Sequence, residues 1–257
     1  MKKFLSLCLV LGVASFLSAD KLRIASDPTF PPFGYHKGND IVGVDADLAK
    51  LIMSKLKLDY ELVAMDYEEI CDALNAGRVD MAIAAIGIDE YTEGCDPSNS
   101  YYETETYYLT HEYNHIDTKE QMAGHKIGYI TGNYYKEIIE SFGGEPVAFD
   151  RPAQMFMALQ NDRVEAVISD SALAAPVIKR NYSYFSDVDK QALEMMENLG
   201  VNKQIMPFDI EASDESETVV LFGRGKNAEL KESINRIIGE IRENGEMQKI
   251  LEKYDIE

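Results

Sequence analysis

The residues able to do chemistry in this 257-residue chain gather at the ends of short apolar runs rather than in any catalytic motif. Arg78 to Thr92 reads RVDMAIAAIGIDEYT. Its centre, Met81 to Ile86, is too apolar and too short for anything but a strand covered on both faces. The run meets Gly87 and then a polar stretch that closes with Tyr91-Thr92. In an open α/β sheet, ligands sit just beyond the carboxyl ends of strands, so Ala84, Ala85, Gly87 and Thr92 mark a candidate ligand site. Val164 to Ile168 ends in a similar way, at Ser169-Asp170. An acid placed where a strand gives way to a helix can serve as an N-cap or as a partner for a bound cation.

Other site chemistries fail on spacing. His111 and His115 are four residues apart, and on a strand that separates them by ~13 Å, too far to share one ion. No GxSxG, HExxH or P-loop occurs, so neither an active-site nucleophile nor a cofactor is expected. Cys71 and Cys95 lack CxxC or zinc-finger spacing. In an oxidising compartment they can pair. Alternatively Cys71, on the inward stripe of a predicted helix with Tyr67, Ile70 and Leu74, stays a buried thiol.

The elements that must position these residues alternate. Leu22–Ala25 is a predicted strand, followed by a proline-rich loop through Phe33, because three prolines forbid regular pairing. A helix over residues 46–56, a strand over 58–65, a helix over 67–76 stopped at Gly77, and the 81–86 strand complete one α/β unit with parallel pairing. The pattern restarts after Tyr101-Tyr102: a connecting strand at 106–110, then strands near 126–130, 146–149 and 164–168 with helices at 134–142 and 152–161 between them. Residues 181–216 read as irregular, with one helix near 190–197. A last strand at 218–222 precedes amphipathic helices at 228–241 and 246–254.

A formal charge of −20 makes nucleic acid and anionic lipid poor partners and suits solubility. Lys2-Lys3, an apolar stretch from Phe4 to Leu17 and a small-residue boundary at Ala19 form a signal peptide, residues 1–19. The mature protein is expected to be exported and soluble, with cleavage after Ala19.

The order of elements, the 81–92 segment, the Ser98–Tyr102 stretch (SNSYY) and the ending ELKESINRIIGEIRENGEMQKILEKYD together resemble the amino-acid-type periplasmic solute-binding proteins of ABC transporters, family 3. The resemblance covers nearly all of the mature chain. It implies a type II periplasmic-binding-protein fold, two α/β lobes joined by two crossing strands, with lobe 1 at 20–105 plus 217–257 and lobe 2 at 106–216. It also implies a monomer that holds a small-molecule ligand in the cleft and delivers it to an ABC transporter permease without doing chemistry. Phe30, in DPTFPPF, matches an aromatic that the family stacks on its ligand, and Tyr67 matches the residue opposite. Two such rings form a slot in which an ammonium gains about 0.5–2 kcal/mol. Asp27 matches an acid facing the ligand's cationic end, and Asp170 the acid that holds its amine. Asn133 and Tyr134 follow the second-lobe glycine, where the family usually carries a threonine pair.

One departure is specific. Gly87 stands where the family has a carboxylate-binding hydroxyl, and Thr92 (or Tyr91, if a one-residue deletion lies earlier) where it has an arginine. No Arg or Lys lies between Arg78 and His111. The expected ligand is therefore an amine or other cationic or polar small molecule, the alternative being an α-amino acid held without the usual arginine. Two functional alternatives accompany it: an enzyme on the same frame, similar to cyclohexadienyl dehydratase, and a periplasmic sensory or accessory protein.

Overall fold

The computed structural model describes residues 21–88, 91–131, 135–198 and 203–256. The predicted signal peptide and the candidate site residues Asn133 and Tyr134 lie outside the described residues.

Eight strands form one sheet in the order β5-β1-β6-β11-β7-β10-β8-β9. Strand β1 (Leu22–Ser26) runs parallel to β5 (Tyr60–Ala64) and β6 (Met81–Ile86). At the other end, β8 (Lys126–Ile130) runs parallel to β9 (Glu145–Phe149) and β10 (Ala166–Asp170). Two long antiparallel strands join these parallel groups: β7 (Cys95–His111) and β11 (Ile205–Gly223). Their pairing runs from Cys95↔Gly223 to His111↔Ile205, with a break between Glu103↔Glu217 and Glu105↔Ala212. The crossing strands are thus far longer than the expected 106–110 and 218–222 segments.

Helices cover both faces. On the first half lie α1 (Val44–Leu56), α2 (Ile70–Ala76), α7 (Ala228–Glu243) and α8 (Glu246–Lys253). A 3-10 turn, Tyr67–Glu69, runs directly into α2. On the second half lie α3 (Tyr135–Ser141), α4 (Pro152–Gln160), α5 (Ser171–Ile178) and α6 (Asp187–Asn198).

The unbroken apolar run of β6 follows from this layering. Met81 and Ile83 enter the core beneath α1, α7 and α8, while Ala82, Ala84 and Ile86 enter the core beneath α2. Strand β10 repeats the arrangement, with Val167 in one core and Ala166 and Ile168 in the other. Among the described residues no helix is long and apolar enough to cross a membrane.

The proline-rich stretch is not a simple loop. Thr29–Phe30 (β2) pairs with Gly34–Lys37 (β3), which pairs with Asp40–Val42 (β4) in a small separate sheet. The prolines fit because they stand outside the paired positions: Pro28 precedes β2, and Pro31 and Pro32, joined by a cis peptide, lie in the turn between β2 and β3. Gly34 is required there, since a Cβ would stand 2.1 Å from the Asp27 carbonyl oxygen. Cys71 and Cys95 form a disulfide, with their Cα atoms 5.9 Å apart, which settles the alternative left open by the sequence.

Candidate functional site

Most of the described candidate residues stand at or just past the ends of β1, β6 and β10. Asp27, just past β1, is buried, and its Oδ1 accepts from the Thr29 amide (2.9 Å) and the Thr29 hydroxyl (2.7 Å). That closes an Asx turn and aims the chain into β2. Phe30 on β2 stacks on Phe33, with centroids 6.2 Å apart and planes at 23°. It also packs against the main cores of both halves, so its ring stands where the two halves meet.

Tyr67 sits at the opening of the turn before α2 and meets Tyr91 edge-on at 6.2 Å. Ala84 points its methyl into the α2 core, leaving only its backbone for a ligand. Ala85 is half-buried and has a φ of 47°, in the left-handed region that an L side chain resists. Such strain survives where the surroundings over-determine it and is common beside ligand sites. Gly87, by contrast, is open: a Cβ there would meet nothing within 4 Å. Thr92 is buried in a tight crevice with Tyr67, Ile70, Cys71, Ile86, Tyr91 and Leu221.

Asp170 is buried at the end of β10, opposite Thr106 of β7 and therefore beside the crossing strands. Its Oδ1 accepts from the Leu173 amide at 2.9 Å and caps α5. Burial pushes its carboxyl up to about 6, against the lowering effect of the amides at Leu173, Asp170 and Ala172. The neighbouring Ser171 hydroxyl lies 3.3 Å from the Tyr102 hydroxyl and accepts from the Glu105 amide, tying α5 to the crossing.

One acid of the site escaped the sequence. Asp45, in the first turn of α1, is fully buried, and its Oδ1 accepts from the Tyr101 hydroxyl at 3.0 Å. Burial raises it to about 7; the Tyr101 and Ala85 hydrogen bonds lower it, and the charge of Asp27 raises it further. The Asp45–Tyr101 pair thus lies beside the Ala85 backbone. In sequence, GVDADL gives only a first-turn acid of the kind that favours a helix dipole, with nothing to separate burial from exposure.

Asp45 carries a consequence for stability. Its folded pKa lies above its unfolded value of 3.8, so its protonated form favours folding and this contribution is lost as pH rises from about 4 to about 7. Asp170 acts in the same direction up to about 6. Carboxylates held below their ordinary values by cations, among them Asp80 by Arg23, Asp162 by Lys203 and Glu246 by Lys55, shift in the opposite sense, at lower pH. The unliganded protein is therefore expected to melt several degrees higher at pH 5.5 than at pH 7.5. Asp45→Asn is expected to flatten that slope in calorimetric scans.

Among the described residues, none of Asp27, Asp45 and Asp170 takes part in an ion pair. The second Asp45 oxygen, Ser26 Oγ and Ser169 Oγ are buried without a hydrogen-bond partner among the described residues. Buried carboxylates without a counter-charge are costly, and a bound cation would relieve that cost. No group of three or more His, Cys, Asp or Glu side chains is arranged to hold a metal, among the described residues. His111 instead hydrogen-bonds Asp162 through Nε2 at 2.8 Å.

Comparison with known proteins places the fold. A profile of the bacterial extracellular solute-binding proteins, family 3, matches residues 22–256. The probable histidine-binding protein of Campylobacter jejuni is 23% identical over 277 residues, covering 100% of both chains. A solved structure of an ancestral arginine-binding protein bound to arginine has a TM-score of 0.71 and 30% identity, covering 91% of this chain and 97% of its own. The fold is shared as well by an ancestral amino-acid-binding protein described as a precursor of cyclohexadienyl dehydratase, with a TM-score of 0.70 and 20% identity over 91% of this chain and 94% of that one.

Proposed function

For a chain that belongs to the bacterial extracellular solute-binding proteins of family 3, we propose a cleft selective for a small amino-acid-like molecule that carries a cationic group. The observation that carries this reading is the set of three buried acids, Asp27, Asp45 and Asp170, without an ion-pair partner among the described residues. Asp170 holds the ligand's amine, Asp27 faces its cationic end, and Phe30 and Tyr67 flank it. Ala84, Ala85, Gly87 and Thr92 are assigned to the base, with Gly87 the open position among them, and Asn133 and Tyr134 are assigned to the ligand from the resemblance alone. Histidine and arginine, which the names of relatives specify, carry such cations. Without an arginine clamp, a ligand lacking the α-carboxylate fits best.

The protein acts in the periplasm as a monomer after removal of residues 1–19. It captures its ligand without chemical change and passes it to the permease of an ABC importer. The lobes are residues 20–105 plus 217–257 and residues 106–216. Supporting that division, the β7–β11 register breaks between Glu103↔Glu217 and Glu105↔Ala212. Closure is a hinge movement of the lobes about these strands.

The test is calorimetric titration with agmatine, the amine left when arginine loses its carboxylate. Binding a cation requires ionised Asp170, whose carboxyl sits at about 6 in the unliganded protein. Affinity is expected to be level above pH 7 and to fall about tenfold by pH 5. A cationic ligand with pH-independent affinity, or no binding of agmatine at millimolar concentration, would remove Asp170 from the role.

A further inference from the structure

Along the continuous helical segment that begins at Tyr67, three residues spaced four apart share one face: Tyr67, Cys71 and Asn75. Each meets the chain that follows β6. The Tyr67 ring meets Tyr91 at 6.2 Å and 80°. Cys71 is bonded to Cys95. Asn75 donates through Nδ2 to the Gly94 carbonyl at 3.2 Å and lies 3.6 and 3.5 Å from the two sulfurs. Its Oδ1 accepts from the Arg224 amide at 2.9 Å, which adds the end of β11 to the same point.

The turn so fastened is tight. The Cys95 amide donates to the Thr92 carbonyl at 3.1 Å, and Gly94 holds a φ of 104° that a side chain would resist. Thr92 is pressed against Cys71 in the crevice beneath Tyr67. The disulfide closes a ring of chain, 24 residues in separation, that contains all of β6 and the open position Gly87.

We propose that Tyr67, Cys71–Cys95 and Asn75 form a staple that positions the ligand-facing end of β6 and the Tyr67 ring as one unit. The cysteines and Asn75 are positioning residues: they act through the 84–88 backbone and Tyr67, not by touching the ligand. The inference rests on the proposed cleft, since the residues it positions are those assigned there to the ligand.

Hydrogen exchange together with agmatine titration tests it in the full mature chain. The variants are the double substitution Cys71→Ser with Cys95→Ser, and Asn75→Ala, which keeps the disulfide. Both are measured well below their melting temperatures, so that loss of global stability does not enter. Amide exchange in residues 84–88 is expected to speed up at least tenfold in the double variant and less in Asn75→Ala, with residues 126–130 in β8 unchanged. The Kd for agmatine is expected to rise about tenfold in the double variant and about threefold in Asn75→Ala. Faster exchange confined to residues 91–95, with 84–88 as protected as in the native protein, would overturn the staple. If agmatine binds neither the native protein nor the variants, the cleft assignment fails, while the exchange pattern at 84–88 still decides whether the staple positions β6.

Discussion

Replacing Asp170 with Asn is expected to raise the Kd for agmatine by roughly 10- to 100-fold while leaving the unliganded protein folded and at least as stable. A hydrogen bond to a charged group is worth about 1.5–3 kcal/mol, and tenfold in affinity corresponds to about 1.4 kcal/mol. The fold survives because Asn caps helices as well as Asp does, and its side-chain oxygen can take the same 2.9 Å bond from the Leu173 amide. Burial has already pushed the Asp170 carboxyl up to about 6, so a neutral amide removes a desolvation cost from the empty site. The variant should also lose the pH dependence of binding between 5 and 7. Unchanged affinity in calorimetry would reduce Asp170 to a helix cap.

Much of the parallel framework was legible in the sequence because those elements signal locally. Strand β8 is found at its expected residues, Lys126–Ile130. Helix α2 stops where expected, at Gly77, which takes a left-handed φ of 73°. The crossing strands were not legible, and the reason is physical. Strand β11 carries Asp209, Glu211 and an acidic run through Glu217, a composition that reads as loop. Its strand character comes from pairing with β7, about a hundred residues earlier in the chain, and from groups that neutralise its acids. Lys119 reaches both Asp209 (3.0 Å) and Glu211, and the Tyr108 hydroxyl donates to Glu211 at 2.9 Å. Asp45 escaped for a related reason: its importance lies in contacts with Tyr101 and Ala85, which no local pattern reveals. The disulfide needed geometry as well, since two cysteines 24 residues apart in sequence do not disclose a 5.9 Å approach.

Removing the carboxylate from a basic amino acid is expected to strengthen its binding to this protein, with agmatine preferred over L-arginine by about two orders of magnitude. Both molecules offer the same guanidinium and amine to Asp27, Asp170 and the flanking rings. Arginine adds an anion that must be buried near Ala84–Thr92, where Gly87 and Thr92 supply no cation, at a cost of several kcal/mol for an uncompensated charge. The preference should reverse when a cation is restored. Thr92 is the wrong place to install it, because its side chain is enclosed by Tyr67, Ile70, Cys71, Ile86, Tyr91 and Leu221. Gly87 is the right one: its Cβ would meet nothing within 4 Å, and its φ lies outside the left-handed range. Gly87→Arg is expected to raise affinity for L-arginine at least tenfold through a charge-assisted pair with the carboxylate. The added cation should also weaken agmatine by repulsion, so that selectivity moves from both sides. Calorimetry of the native protein and Gly87→Arg against the two ligands reads all four affinities. Tight binding of L-arginine by the native protein would refute the inference from the missing clamp, and backbone amides would then be the groups that hold the carboxylate.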